Sequence, residues 1–174
     1  ASYYPANSEV LHSVPLLAYG RDILSPLLNL GFLTLGLLAA YCIGRPYGLG
    51  PQSLIGGAIA LGAQMLIEFQ AGEALNDIVG VVFVLAAVAV LVNEGAARPG
   101  SWRVTRRSDE QGAKPGLGAA ALAVAGISAG LAAGTKLSFL APVLALFVGV
   151  TVIAGRGARV RAAAWFAIPA FAAV

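Results

Sequence analysis

Charged residues are missing from six long stretches of this chain, and that spacing restricts its fold more than any other feature. The uncharged runs cover residues 23–44, 46–67, 78–93, 115–135, 137–155 and 162–174. Most of them approach the ~20 residues an α-helix needs to cross ~30 Å of hydrocarbon. With 59% hydrophobic and only 11% charged residues, the chain falls far from soluble domains, where about a quarter of residues are charged. The expected fold is an all-α polytopic transmembrane bundle: five full spans, a sixth cut off at Val174, and an outer interfacial helix, within one domain covering residues 1–174.

The basic residues then orient the bundle. With alternate loops assigned to alternate sides, nine of the eleven Lys and Arg residues fall on one side: Arg45, Arg98, Arg103, Arg106, Arg107, Lys114, Arg156, Arg159 and Arg161. Only Arg21 and Lys136 fall on the other. An excess of Lys and Arg marks the cytoplasmic side, so residues 94–115 read as a cytoplasmic loop and residues 1–22 as an extracytoplasmic segment. These basic residues mark loops rather than one folded face, which argues against nucleic acid as a partner. Cys42 lies alone in mid-span and offers no disulfide.

Residues 1–22 contain Val14-Pro15-Leu16-Leu17-Ala18-Tyr19, too short to span and broken by proline, so this segment reads as a helix lying on the outer face. The first span should end at Arg45-Pro46-Tyr47-Gly48, where Pro and Gly stop a helix. The third span is expected to open at Asp77 and to hold only the 16 uncharged residues 78–93, about 24 Å of helix. Gly126, Gly130 and Gly134 recur every four residues, a stripe suited to close helix packing. A helix running unbroken from Leu117 to Ala154 would be about 57 Å long, so the chain should turn at Gly134-Thr135-Lys136 and hold Lys136 at the outer surface. The chain lacks an initiator Met and stops inside an apolar run, which reads as a fragment of something longer.

Topology places Glu9, His12, Glu68, Glu73, Asn76, Asp77 and Lys136 on the same outer side. Carboxylates can act as general bases or metal ligands, and a lysine can hold a phosphate as a point charge. The plain alternative is a set of hydrated loop ends, with Asn76-Asp77 capping a helix and Lys136 snorkelling at a hairpin. The chain has no P-loop, dinucleotide fingerprint, HExxH, CxxC or nucleophile elbow. No cofactor is called for, and a divalent metal is left open.

The order Tyr4-Pro5-Ala6-Asn7-Ser8-Glu9, Gly20-Arg21-Asp22, Gly44-Arg45-Pro46-Tyr47-Gly48, Ala74-Leu75-Asn76-Asp77 and Gly130-Leu131-Ala132-Ala133-Gly134-Thr135-Lys136 resembles the N-terminal part of GT-C membrane glycosyltransferases. The likeness is to the protein-mannosyltransferase-like group that uses polyprenyl-phosphate-linked sugars. It implies a multi-pass protein of the cell membrane with an extracytoplasmic active face, a lipid bilayer around it and a polyprenyl-phosphate-linked sugar as donor. Asp77 then matches an acidic residue near the active site, and Lys136 a basic residue placed to meet the lipid phosphate. The family's usual catalytic aspartate would lie before Ala1, leaving Glu9 as a substitute and the fragment inactive by itself. Asp77 and Glu9 are thus the candidate catalytic residues, and Asn76, Lys136, His12 and Glu73 the candidate substrate-binding ones. A transporter or a non-catalytic membrane scaffold are the other readings. The charge-free span centres argue against a transporter, and a scaffold needs none of the outer polar residues.

Overall fold

The structure, a computed structural model, describes residues 25–62, 74–97 and 117–174, together with Val10, Ser13, Val14 and Leu17. Among the described residues it is entirely helical. Six α-helices follow one another: α1 (Ser25–Gly44), α2 (Gly50–Leu61), α3 (Ala74–Ala97), α4 (Ala119–Ala133), α5 (Leu140–Ile153) and α6 (Arg159–Ala172). Short 3-10 turns, Arg45–Tyr47 and Leu137–Phe139, precede α2 and α5. Of the opening segment, the four described residues are helical, and the Ser13 hydroxyl donates to the Val10 carbonyl at 2.8 Å.

The turn from α1 to α2 is set by its residue types. Pro46 sits in the first turn of the 3-10 segment, and Gly48 closes it at φ 72°, a left-handed conformation that glycine reaches without a Cβ clash. The Gly48 N–H donates to the Arg45 carbonyl at 3.1 Å and the Leu49 N–H to the Gly44 carbonyl at 3.0 Å, which satisfies carbonyls the helix end leaves open. Pro51 then lies in the first turn of α2, where its missing N–H costs nothing. The two helices return along each other at four-residue steps: Gly44 meets Ser53, Ala40 meets Gly57, and Gly36 meets Leu61.

α3 packs beside α1 and runs the same way. Phe32 meets Phe83 edge-on with ring centroids 6.1 Å apart, and further along the Asn93 amide donates to the Cys42 carbonyl at 2.8 Å. α4 returns along α3, tied at its start by the Gly118 N–H donating to the Glu94 carboxylate at 3.1 Å. α4 and α6 then run parallel in the closest contact of the bundle. Gly126 lies on the backbone carbonyl of Phe166, and Gly130 on that of Ala170. α5 closes against α6 through Phe147 and Phe166, 6.4 Å between centroids.

Two expected boundaries are corrected. α3 opens at Ala74, not at Asp77, and continues through Glu94 to Ala97. Its 24 residues make about 36 Å of helix, of which Ile78–Ala97, 20 residues, are apolar enough to cross a membrane, four more than the 16 expected. The charges at either end do not stop it. Ala74 and Leu75 are strong helix formers, and a carboxylate in a first turn is favoured by the helix dipole. At the other end Asn93 and Glu94 are held by hydrogen bonds to α1 and to the start of α4. Glu94–Ala97 therefore belong to α3 rather than to the loop expected over residues 94–115, whose remainder up to residue 116 lies outside the described residues.

Among the described residues, two helical segments, Leu27–Tyr47 and Ile78–Ala97, are long and apolar enough to cross a membrane. α2, α4, α5 and α6 have 12, 15, 14 and 14 residues, about 18 to 23 Å each. The core mixes small and large apolar residues, with Val79 and Phe166 the largest of its fully buried side chains. Ala87, Ala125, Ala129 and Ala132 are wholly buried, while Leu30, Leu38, Ile59, Val152, Ile168 and Phe171 stand on the outside. Small residues let the helix backbones approach, and many large apolar side chains remain on the outside.

Candidate functional site

The site is built where α3 begins and α4 gives way to α5. α4 ends on Gly134, whose N–H donates to the Gly130 carbonyl at 2.8 Å. Thr135 follows and is buried, its N–H and its hydroxyl both donating to the Ala132 carbonyl, at 3.0 and 2.7 Å. That double tie turns the chain sharply. Lys136 is then extended, at φ −159° and ψ 139°, and its carbonyl accepts from the Phe139 N–H at 3.0 Å, starting the 3-10 turn. The turn at Gly134-Thr135-Lys136 is therefore present, with Lys136 half-buried at its far side.

Phe139 decides where this turn docks. Its ring lies directly on Gly80 of α3, so closely that a methyl group at Gly80 would collide with it. Gly80 is one helical turn beyond Asp77, and Phe139 is three residues beyond Lys136. The contact thus seats the Phe139 end of the turn on the second turn of α3, one helical turn along from Asn76 and Asp77. Asn76 and Asp77 lie inside the first turn of α3 rather than capping it, a second consequence of the helix starting at Ala74. Glu9, His12, Glu68 and Glu73 lie outside the described residues.

The two ends of the bundle differ in charge. Parallel packing of α1 with α3, and of α4 with α6, sends alternate helices in opposite directions. Arg45, Arg156, Arg159 and Arg161 consequently share one end, with Glu94, and Lys136 lies at the other with the first turn of α3. Asn29 is also near that second end, on α1 one turn before Phe32. It is 9% exposed and its side-chain oxygen has no partner among the described residues. No cluster of three metal-ligating side chains occurs among the described residues.

Sequence reasoning missed Gly80, Asn29 and Asn93. Each had a signal: a lone glycine among Val and Phe marks a close approach, and a lone amide in an apolar run needs a hydrogen-bond partner. No family model, curated protein or solved structure matches the chain.

Proposed function

We propose that the chain is part of a GT-C glycosyltransferase embedded in the cell membrane, moving a sugar from a polyprenyl-phosphate donor to an acceptor on the extracytoplasmic face. The reading includes five spans and the start of a sixth, with the arginine-rich end in the cytoplasm. The alternating helix directions, the arginines gathered at one end and the many large apolar side chains on the outside all support it. The observation that supports the site is the seating of Phe139 on Gly80, which puts the turn after Lys136 against α3 one helical turn from Asp77.

In this reading the Asp77 carboxylate takes the proton of an acceptor hydroxyl as that oxygen attacks the sugar's anomeric carbon. The bond from that carbon to the donor phosphate oxygen breaks, and the polyprenyl phosphate leaves carrying the negative charge. Lys136 balances that charge, an electrostatic role that gains strength in a site partly shielded from water. Asn76 and, from outside the described residues, Glu9, His12 and Glu73 remain the other candidates to contact substrate.

Transfer from a polyprenyl-phosphate-linked sugar, assayed in membranes carrying the protein, tests this. Asp77→Asn is expected to lower turnover by about 10²-fold or more, as for loss of a general base, with folding unchanged. Lys136→Gln is expected to act mainly by raising the donor concentration needed. Parental rates for both variants at matched expression would remove these residues from the site and leave a non-catalytic membrane protein as the better reading.

A further inference from the structure

We propose that the start of α6 is a docking site for an anionic phospholipid of the leaflet at the bundle's basic end, its phosphate held by Arg161, with Arg156 and Arg159 adding positive charge at the same helix start. Its acyl chain lies over Trp165, Ile168 and Phe171. The inference rests on the membrane reading above and adds a lipid class and a place.

Three arginines fall within six residues, all exposed, and no acidic residue occurs anywhere from Leu137 to Val174. Glu94 shares this end of the bundle, and its carboxylate accepts from the Gly118 N–H, so among the described residues one acid stands against four arginines there. Arg161 and Trp165 are one helical turn apart, and Ile168 and Phe171 follow at three-residue steps, so the four share one side of α6. Trp165 is 47% exposed, Ile168 69% and Phe171 87%. The other side of α6 carries the buried Ala162, Phe166 and Ala170 that pack on α4.

The exposed side is graded along the helix axis, from charge through an indole to aliphatic and aromatic carbon, over about 15 Å. That order follows the bilayer normal: phosphate plane, interfacial belt, hydrocarbon. A protein partner would need no such gradient. The net positive charge selects among lipids, because a zwitterionic headgroup cancels its own phosphate whereas an anionic one does not. Each arginine near the headgroup plane favours the anionic lipid by about fivefold.

The test uses tryptophan fluorescence. The chain has two tryptophans, so Trp102→Phe leaves Trp165 as the sole indole. The purified full chain is reconstituted in phosphatidylcholine vesicles containing a small fraction of either phosphatidylglycerol or phosphatidylcholine with brominated acyl chains. The brominated anionic lipid is expected to quench Trp165 several-fold more than the brominated neutral lipid at equal fraction. The preference should vanish in Arg156→Gln/Arg159→Gln/Arg161→Gln and survive in Arg45→Gln, whose charge lies on a different helix. Should the triple variant fail to reconstitute, Arg161→Gln alone and high salt, which screens exposed charges, must each reduce the preference. Equal quenching by the two lipids, or a preference indifferent to these changes, overturns the proposal while leaving the membrane reading intact. Absence of quenching by either lipid overturns the membrane reading itself.

Discussion

The two glycine-lined seams of this bundle look alike in sequence and differ in what they press against. In the antiparallel seam between α1 and α2, Gly57 faces a side chain, with the space for its missing methyl only 2.6 Å from the Ala40 methyl carbon. In the parallel seam between α4 and α6, Gly126 and Gly130 face main-chain carbonyls. A methyl obstacle can be removed by substitution. A carbonyl obstacle belongs to every amino acid and can be relieved only by moving the helix. Away from the turn, where Gly44 also meets the Leu49 carbonyl, the first seam is therefore a fit between side chains and the second a fit between backbones.

The largest effect should come from breaking the backbone seam. Gly130→Leu is expected to lose about 3 kcal/mol or more of stability through overpacking, read as thermal unfolding and yield in detergent. Ala170→Gly should give no rescue, because the obstructing carbonyl remains. A midpoint close to that of the parent protein would refute the backbone contact.

A smaller effect sharpens the contrast. Gly57→Ala is expected to cost about 1 kcal/mol, overpacking offset in part by alanine's better helix propensity. Here Ala40→Gly should relieve the clash, so a double-mutant cycle should return a favourable coupling of about 1 kcal/mol. Additive losses would mean that the two positions do not meet.

The smallest effect is expected at Gly31, where a Cβ would find nothing within 4 Å. Gly31→Ala should be neutral or stabilising by up to about 1 kcal/mol, the propensity gain alone. A clear loss of stability there would show that α1 has a neighbour at that position.

Turns were readable in the sequence because proline and glycine act locally. Pro46 with Gly48, and Gly134 ahead of Thr135, each end a helix where their backbone chemistry says they should. The stripe of Gly126 and Gly130 likewise announced a close contact, though not that α6 supplies the other half. The ends of α3 were misplaced because charge was used as the boundary. Asp77 and Glu94 are both inside the helix, and Glu94 is tied there by the Gly118 N–H.

The candidate site was only half legible. Asp77 and Lys136 could be assigned to one side by counting spans, but nothing in their spacing says that the turn after Lys136 docks on α3. That depends on Phe139 seating on Gly80, a pairing of residues far apart in the chain whose partner cannot be read from either position alone. Asn29 shows the same limit: its type signals a need for a partner, while its burial emerges only in the assembled bundle.

The parallel seam also carries a timetable. Gly126 and Gly130 rest on residues placed forty positions later in the chain, so a ribosome finishing α4 has not yet made the surface that α4 needs. α1 and α2 can close as soon as the short turn between them has emerged, because their contacts are local. α4 must wait with its glycine stripe uncovered while α5 is made, and is sealed only when α6 arrives. Nearly the last residues of this stretch thus close a gap opened much earlier in synthesis, and during that wait the half-built bundle is open to the wrong neighbour.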